Sequence, residues 1–337
     1  MKNKTAILIG YGGMGKRYFK ALKFLKIKVL AICDKRIDLK KNFENKKIII
    51  TNDYKKLADL KADLLCVATN TKSRYDVIKF FCQKSKINKI ITEKPLSTSV
   101  KQSKNLKKIV KNNNKKFLVN THRTLSPNFL SVKKFFKKNK EVPTSIFINS
   151  PSAGLGNMGS TFFDIGYFFL DTKPISIFSK IDKSNTINPR GKQFKDPGGY
   201  GIINFAKGKK LFFDLSENTG LPYTITIKSK NIEVFIDELN NEFKFKIRPK
   251  KLSKKPLYYY LFKPKTFKMK LKHKFDVVKM TSITIKKIFE KKSFNKNLEN
   301  SITSVECIIG AHISDREKKV INFPLNKRYH NLNINFA

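Results

Sequence analysis

A glycine-rich stretch near the start of this 337-residue sequence has the residue types and spacing of a dinucleotide-binding turn. Gly10-Tyr11-Gly12-Gly13-Met14-Gly15 follows the apolar run TAILI and opens a helical pattern. In such a G-x-G-x-x-G motif the first glycine permits a tight turn, the second lets backbone approach a pyrophosphate, and the third allows close helix–strand packing. The N-terminus of the following helix would offer free N–H groups to the phosphates.

An acidic residue stands where such a motif needs one for the ribose. Asp34 lies 19 residues past Gly15, at the end of the second predicted strand. Its carboxylate can accept hydrogen bonds from both ribose hydroxyls, and its charge would repel a 2′-phosphate, which favours NAD. Lys35 and Arg36 follow and could instead bind that phosphate, so NADP remains an alternative.

Two further apolar runs end in polar residues. ADLLCVATNT ends in Thr69 and Asn70, and IITEKPLS places Glu93 and Lys94 before Pro95. In an open α/β sheet the ligand lies outside the carboxyl ends of the strands. We therefore expect Thr69 and Asn70 to border the cofactor, and Glu93 and Lys94 to project toward its nicotinamide. Pro95 makes the preceding peptide bond one where a cis form costs little.

The elements that position these residues can be read from hydrophobic periodicity. The first 121 residues alternate apolar strands with helical patterns, which predicts a parallel sheet with helices on both faces. The predicted strands are 5–10, 28–33, 47–50, 62–69, 89–93 and 116–121. The predicted helices between them cover 16–27, 73–84 and 99–113.

The pattern changes after residue 121. One helix is predicted at 127–139, and strands with alternating hydrophobicity follow at 144–150, 175–182, 200–206, 209–216, 223–229 and 232–238. A helix around 298–318 and a short strand at 320–324 close the sequence. Glycines at 154, 156 and 159 indicate a loop there. These patterns predict a Rossmann domain over 1–121 and, over 122–337, an α+β domain with one large, mostly antiparallel sheet.

Several classes of protein are excluded by composition. No apolar run approaches the ~18 residues of a membrane span, and no signal-peptide pattern is present, so we expect a cytoplasmic protein without a membrane partner. The four cysteines (Cys33, Cys66, Cys82 and Cys307) are far apart and have no histidine at ligand spacing. They are predicted to be core residues, and no metal is expected.

The formal net charge of +47 invites a nucleic-acid hypothesis. Lysines are nevertheless spread over the whole length, as a solvated surface or biased codon usage would also produce, so nucleic acid is not the favoured partner. The densest stretch, 244–274, keeps the alternative open because Tyr258, Tyr259, Tyr260 and Phe262 interrupt its lysines.

Together these motifs resemble the Gfo/Idh/MocA oxidoreductases, relatives of glucose-fructose oxidoreductase and inositol dehydrogenase. The resemblance rests on the order G-x-G-x-x-G, Asp34, VATNT, EKP and a later D-x-G, and it covers essentially the whole chain. It implies hydride exchange between NAD(P) and a hydroxyl-bearing carbon of a sugar, polyol or sugar-derived acid. It also implies a homo-oligomer, dimer or tetramer, formed through the C-terminal sheet.

The resemblance assigns roles to particular residues. Lys94 would orient the substrate and help to move its proton, and Asp164, within D-x-G, would position the substrate. Arg123 would line the cleft, where its planar fork suits a carboxylate or phosphate. Its alternative is a structural ion pair, with His122 as an interior residue. Asn157, Ser160 and Thr161 could bind sugar hydroxyls.

The sequence departs from this family at the residue that usually serves as acid/base. The histidine of D-x-G-x-H is Phe168 here, and the position of another family histidine is Thr161. Three hypotheses follow: Lys94 transfers the proton, Tyr167 or His122 substitutes, or the chain binds NAD without catalysis. We favour an NAD(P)-dependent oxidoreductase with Lys94 and Asp164 as its catalytic residues.

Overall fold

The computed structural model describes residues 1–36, 43, 47–151, 154–183, 194, 196–217, 220–252, 254–271, 273–290 and 293–334. Its first half contains strands β1 (Thr5–Ile9), β2 (Lys28–Cys33), β3 (Ile49–Thr51), β4 (Leu64–Val67), β5 (Lys89–Thr92) and β6 (Lys116–Val119). Helices α1 (Gly13–Phe24), α2 (Thr71–Lys84) and α3 (Val100–Asn112) connect them. All six predicted strands form, in the order β3-β2-β1-β4-β5-β6, and every pair is parallel.

Local sequence explains these elements. The strands are continuous apolar runs because helices cover both faces of the sheet. The helices begin at capping residues: the side chains of Asn70 and Ser99 accept hydrogen bonds from the first turns of α2 and α3. Pro127 occupies the first turn of the next helix, where its missing N–H costs nothing.

The second half surrounds a nine-stranded sheet. It contains α4 (Pro127–Lys138), β7 (Ser145–Asn149), α5 (Ser160–Leu170), β8 (Pro174–Ile181), β9 (Gly199–Phe205), β10 (Lys209–Asp214), β11 (Thr224–Lys228), β12 (Ile232–Asp237), β13 (Glu242–Ile247), β14 (Lys265–Lys268), α6 (Val277–Glu290), α7 (Asn295–Glu317) and β15 (Ile321–Asn322). The strand order is β14-β13-β12-β11-β7-β10-β9-β8-β15, and only the β7–β10 pair is parallel. The predicted fold class is confirmed.

Strands β13 and β14, at one edge of the second sheet, were not predicted, and three further features differ from the sequence interpretation. The loop expected at the glycines is a π-helical turn, Gly154–Gly159, that leads directly into α5. Helix α5 itself was not predicted, because ten of its eleven residues are buried and it shows no polar face. Helix α6 was also missed, and it packs against α1 on the first sheet, where Ile285 and Ile288 join that sheet's core.

The core has two parts. One cluster lies between the first sheet, α1 and α6. The other runs without interruption from the opposite face of the first sheet, through α4 and α5, to the inner face of the second sheet. The four cysteines are buried free thiols. No described helix is long and apolar enough to cross a membrane. The boundary at residue 121 stays a prediction.

Asn297 joins α7 to the edge strand β6 and takes the place of a neighbouring strand. Its Oδ1 accepts a hydrogen bond from the Val119 N–H at 2.8 Å, and its Nδ2 donates to the Val119 carbonyl at 3.2 Å. The same Nδ2 donates to Thr121 Oγ1 at 2.9 Å. The side chain therefore satisfies backbone groups that an edge strand would leave unpaired.

We predict that Asn297→Ala lowers the free energy of unfolding by about 1–3 kcal/mol, because the β6 backbone groups lose their partner while partly buried. Asn295→Ala, in the exposed first turn of the same helix, should change it by less than about 0.5 kcal/mol. Urea unfolding measures both. Equal effects of the two substitutions would show that the β6 contact contributes nothing.

Candidate active site

The candidate cofactor crevice lies at the carboxyl ends of β1 and β4. From β1 the chain moves outward to β2 and β3, and it then returns to place β4 on the other side of β1. Loops leaving β1 and β4 therefore diverge to opposite faces, and dinucleotides bind at such a switch point. The loop after β1 and the first turn of α1 hold Gly10–Gly15, and the loop after β4 holds Thr69 and Asn70, as the sequence predicted.

The glycines of the motif divide into two that the fold requires and two that leave space. Gly10 has φ +90°, and a Cβ there would lie 2.7 Å from the Ala68 carbonyl. A Cβ on Gly15 would lie 2.1 Å from the Gly10 oxygen. By contrast, a Cβ on Gly12 or Gly13 would meet no described atom within 4 Å. The space in front of Gly12 and Gly13 is therefore open, and a pyrophosphate would approach the backbone there.

The start of α1 fits an anionic ligand. Among the described residues no side chain caps this helix, and its first turn contains no acidic residue. The backbone N–H groups at its start are thus available to phosphate oxygens. Across the crevice Thr69 Oγ1 is buried and has no hydrogen-bond partner in the described chain. These features fit the diphosphate of a dinucleotide. The side chains of Tyr11 and Met14 contact Phe19 and Arg17 respectively.

Asp34 is oriented toward the glycine loop, and Arg36 folds over it. Asp34 Oδ2 accepts a hydrogen bond from the Tyr11 N–H at 2.6 Å, and Oδ1 accepts from Arg36 Nε at 2.9 Å. Arg36 also donates to the Tyr11 carbonyl at 2.9 Å. Partial burial opposes ionisation, but the hydrogen bonds from Arg36 and Tyr11 lower the pKa of Asp34. An ionised carboxylate suits ribose hydroxyls. Lys35 is exposed.

Arg74 is a positioning residue that sequence reasoning missed. Its buried guanidinium donates to the Thr69 carbonyl at 2.6 Å and to the Pro95 carbonyl, so it ties the loop after β4 to the loop after β5. The Asn70 side chain caps α2 by accepting from the Ser73 N–H at 3.0 Å. The only signal for Arg74 was a cation on the inward face of a predicted helix.

Lys94 joins the first domain to the turn before α5. Its Nζ donates to the carbonyl of Asn157 and, at 3.1 Å, to Asn157 Oδ1. Asp196 holds that turn, because its carboxylate accepts from the Gly156 N–H at 2.7 Å and the Asn157 N–H at 2.8 Å. Sequence patterns did not identify Asp196 as a residue of the site. The Lys94–Pro95 peptide bond is cis.

Glu93 precedes this lysine and is buried. Its Oε1 accepts a hydrogen bond from Asn120 Nδ2 at 2.7 Å, at the end of β6. Thr161 is also buried, in the first turn of α5. The structure thus brings Lys94 into contact with Asn157, in the turn that leads into α5, the helix that carries Thr161 and Asp164.

Asp164 is a buried carboxyl group whose neighbours are hydroxyls. It is 3 % exposed, and its Oδ2 accepts from Thr124 Oγ1 at 2.7 Å. Burial raises the pKa of Asp164 to about 7, although hydrogen bonds from Thr124 and Thr121 partly oppose this. Thr121 is itself held by Asn297. A carboxyl with a pKa near neutrality can both accept and return a proton.

The residue in the motif-histidine position has no proton to transfer. Phe168 packs on Phe169, and Lys133 Nζ lies 4.6 Å from its ring centroid. Tyr167, one proposed substitute, is buried with its hydroxyl 2.9 Å from Cys307 Sγ, and burial raises its pKa well above the ordinary value. Burial and the contact with Cys307 therefore disfavour Tyr167 as an acid/base at neutral pH.

His122, the other proposed substitute, is an uncharged interior residue. Burial, together with the charges of Arg123 and Lys94, lowers the pKa of His122 well below 6.5. Its Nδ1 has no hydrogen-bond partner among the described residues. A neutral imidazole near Lys94 can accept a hydrogen bond, but it holds a proton too weakly to act as an acid.

Arg123 lies in a buried ion pair, as its structural alternative anticipated. Its Nε donates to Glu238 Oε2 at 2.7 Å, and its Nη2 donates to the Tyr223 hydroxyl at 2.9 Å. The guanidinium also stacks on the rings of Tyr223 and Phe275, with centroid distances of 5.1 and 5.3 Å. This cluster fastens the end of β6 to the second sheet. A role for Arg123 in substrate binding remains a prediction.

Comparison with known proteins agrees with this geometry. Residues 4–121 match the model of the Gfo/Idh/MocA family, described as an oxidoreductase family with an NAD-binding Rossmann fold. No curated protein matches the sequence. The described residues contain no group of three or more His, Cys, Asp or Glu side chains that could hold a metal ion.

Solved structures share the fold over nearly the whole chain. A levoglucosan dehydrogenase in complex with NADH has 14 % identity, covers 96 % of this chain and 100 % of its own, and gives a TM-score of 0.80. An NAD-binding protein from Listeria innocua has 17 % identity, coverages of 98 % and 99 %, and a TM-score of 0.75. An oxidoreductase from Agrobacterium radiobacter in complex with NAD+, L-tartaric acid and magnesium has 14 % identity, coverages of 95 % and 98 %, and a TM-score of 0.75.

The Rossmann domain with this glycine loop defines an NAD-binding protein. Residues 4–121 are therefore similar to the NAD-binding Rossmann domain of the Gfo/Idh/MocA oxidoreductases. The predicted resemblance to this family and the predicted cofactor, NAD, are thereby confirmed.

We predict that Gly12→Val and Gly15→Ala act differently. A side chain at Gly12 enters open space, so Gly12→Val should change the free energy of unfolding by less than about 1 kcal/mol yet abolish NADH binding. Gly15→Ala collides with backbone and should cost more than about 2 kcal/mol. Calorimetric titration with NADH and urea unfolding separate the two effects. NADH binding by a folded Gly12→Val protein at wild-type affinity would contradict the assigned crevice.

The raised pKa of Asp164 predicts a pH dependence of stability. The folded protein holds this proton more tightly than the unfolded chain, so stabilisation is full below the ordinary pKa of 3.8 and is lost as pH rises through about 7. From about pH 5 to about pH 8, wild type should lose roughly 2–3 kcal/mol relative to Asp164→Asn, which carries no such proton. Urea unfolding at both pH values measures this difference, and parallel pH profiles would exclude it.

Proposed function

We propose that the protein is an NAD-dependent dehydrogenase that oxidises a hydroxyl-bearing carbon of a sugar, polyol or sugar-derived acid, or reduces the corresponding carbonyl. The observation that carries this proposal is the meeting of Lys94, from the cofactor domain, with Asn157 and the start of α5, which bears Asp164. Supporting it, the similar structures include a levoglucosan dehydrogenase and an oxidoreductase with bound L-tartaric acid. Levoglucosan and L-tartaric acid both carry hydroxyl groups.

The bound nicotinamide would supply the hydride acceptor for alcohol oxidation or the hydride donor for carbonyl reduction. Gly10–Gly15 and the start of α1 would hold its diphosphate, and Asp34 its ribose. NAD is favoured over NADP because the Asp34 carboxylate already binds Arg36, the cation that a 2′-phosphate would need.

The chain's own residues handle the proton. Lys94 Nζ orients the substrate oxygen by donating a hydrogen bond, and its charge stabilises the developing alkoxide. Asp164 accepts the hydroxyl proton while the carbon-bound hydrogen leaves as hydride. In the reverse direction Asp164 returns the proton to the carbonyl oxygen. A carboxyl with a pKa of about 7 suits this role at neutral pH better than an ordinary aspartate does. The motif histidine is then dispensable.

We expect Lys94→Ala and Asp164→Asn each to lower kcat for alcohol oxidation by about 10²- to 10⁴-fold, because each removes a group acting on the reacting oxygen. The Kd for NADH should stay near the wild-type value in both. For wild type, kcat/KM for oxidation should fall as pH decreases through about 7, because the protonated carboxyl accepts no proton. A screen of sugars, polyols and sugar acids with NAD provides the substrate.

Asp171→Asn is the matched control, since Asp171 ends the same helix as an exposed residue paired with Lys296. Its kcat should equal that of wild type. NADH binding with no turnover of any hydroxyl compound would instead establish a non-catalytic NAD-binding relative, the alternative that Phe168 raises. Loss of NADH binding together with turnover would leave both proposals without support.

We further infer that the second sheet forms a homo-oligomer interface. Its face away from α5 and α7 carries a row of residues across six strands, apolar except for Thr226: Phe178, Ile202, Phe212, Phe147, Thr226 and Phe235. Phe147 stacks on Phe212 with a centroid distance of 4.7 Å, yet it stays 39 % exposed. The neighbouring row on the same face contains Lys210, Lys228 and Glu233. The apolar row is therefore bordered by charged residues, as the centre of a protein interface is.

A second copy, packed face to face about a two-fold axis, suits this row because a continuous sheet face is complementary to itself. Phe147→Glu with Phe178→Glu should convert the oligomer into monomers in sedimentation velocity, since buried like charges would face each other. Phe24→Glu, an exposed apolar position on α1, should leave the assembly unchanged. A monomeric wild type, or an unchanged assembly in the double variant, would overturn the interface.

A further inference from the structure

The chain between β13 and β14 forms a loop with four large apolar side chains that are each more than half exposed. Leu257, Tyr258, Tyr260 and Leu261 are 59 %, 80 %, 78 % and 76 % exposed. Large apolar side chains grouped together at this exposure are typical of a surface that binds another molecule. The loop borders β14, at one edge of the second sheet, and the hydride-transfer proposal assigns it no role.

The loop has a defined shape around Arg248. The Arg248 guanidinium donates to the carbonyls of Pro256 at 2.9 Å, Lys255 at 3.3 Å and Leu257 at 3.4 Å. It also lies 5.3 Å from the Phe262 ring centroid. These contacts anchor the base of the loop, so the four apolar side chains project from its tip rather than folding back.

The surroundings of this tip are entirely basic in sequence. Residues 243–275 contain thirteen Lys and Arg residues and no Asp or Glu. Eight lysines of this segment are exposed and form no ion pair with any described residue: Lys250, Lys251, Lys254, Lys255, Lys263, Lys265, Lys270 and Lys274. Elsewhere in the same segment Lys246 and Lys268 are paired with Glu233 and Glu242.

A cavity of about 340 Å³ lies beside the tip, and its lining includes Tyr260, Phe262 and Arg248. Glu233 in its wall is paired with Lys228 and Lys246. Lys230 and Arg248, which also line the cavity, form no ion pair with any described residue, so their positive charges are available to an anionic ligand. Its aromatic and cationic lining suits an anionic group attached to an apolar body.

We propose that this loop is a membrane-surface binding site for bilayers containing anionic phospholipids. The two leucines and two tyrosines enter the boundary between headgroups and acyl chains, where tyrosine rings are enriched in proteins. The exposed lysines contact the negatively charged headgroups. The expectation of no membrane partner rested on the absence of a spanning segment, whereas this loop contacts only the surface of the bilayer.

The two leucines favour lipid over single-stranded nucleic acid. Nucleic-acid platforms stack bases on aromatic faces, whereas two of the four most exposed apolar side chains of this tip are aliphatic. Leucine side chains stack on no base, but they are the residues that stabilise insertion into acyl chains. Lysine also suits a diffuse anionic surface, because it acts as a point charge without the directional fork of arginine.

Vesicle sedimentation with the full-length protein tests the proposal. Wild type should bind vesicles of phosphatidylcholine mixed with phosphatidylglycerol at physiological salt, and not vesicles of phosphatidylcholine alone. Leu257→Ser with Leu261→Ser should weaken this binding by about tenfold or more, because two side chains lose their apolar burial. Leu221→Ser, at an equally exposed leucine outside the loop, should bind as wild type does.

The lysines have their own matched comparison. Lys254→Gln, Lys255→Gln and Lys263→Gln together should weaken binding to the mixed vesicles by at least tenfold. Lys101→Gln, Lys108→Gln and Lys111→Gln on α3 remove the same charge from another surface and should have little effect. Equal losses in the two triple variants would show that net charge alone causes binding, which overturns a site at the loop.

Insertion itself can be observed, because the chain contains no tryptophan. Tyr260→Trp introduces a single fluorophore at the tip, and its emission should shift to shorter wavelength when mixed vesicles are added. NADH titration verifies that every variant is folded. Two results would overturn the proposal: vesicle binding unaffected by the serine substitutions, or binding of a single-stranded oligonucleotide, lost in Tyr258→Ser with Tyr260→Ser, without vesicle binding.

Discussion

The close approach of α1 to β1 is the constraint on which the cofactor crevice depends. Gly15 lies against the Gly10 carbonyl at a distance that excludes any side chain. This contact fixes the start of α1 over the end of the strand and directs its free N–H groups into the crevice. Gly12 and Gly13 then leave the space in front of those groups open. Gly10 and Gly15 thus serve packing, whereas Gly12 and Gly13 leave room for the ligand.

The reacting region depends on a second constraint, a connection between the two halves of the chain. The Asp196 carboxylate accepts hydrogen bonds from the backbone of the turn before α5, and Lys94 donates a hydrogen bond to Asn157 in the same turn. Arg123 and Glu238 make a further connection, buried and stacked between aromatic rings. With a core that runs continuously from one sheet to the other, these contacts hold Lys94 against the turn that precedes α5 in the absence of ligand. Such preorganisation lowers the cost of orienting a substrate.

The phenylalanine in place of the motif histidine changes the electrostatics of the site rather than merely removing a residue. Phe168 lies one helical turn after Asp164 and carries no charge, and the described residues give Asp164 a hydroxyl partner, Thr124, but no ion pair. Burial therefore dominates, and the pKa of Asp164 rises to about 7. An aspartate beside a protonated histidine would stay ionised to much lower pH. The loss of one proton carrier thus favours the other.

The sequence by itself determined the first sheet, the glycine motif and the ends of β4 and β5, because these signals are local: a run of apolar residues, a glycine at a fixed spacing, a polar residue after a strand. It also indicated Asp34 and Asp164. Helix α5 escaped because burial on all sides removes the polar face that marks a helix. Only the tertiary structure decided that Arg74 and Asp196 are positioning residues, that Arg123 is paired with Glu238, and that Tyr167 is sequestered by Cys307. Each of those outcomes depends on a partner distant in the chain, and a pairing between distant residues leaves no periodicity or spacing in the sequence.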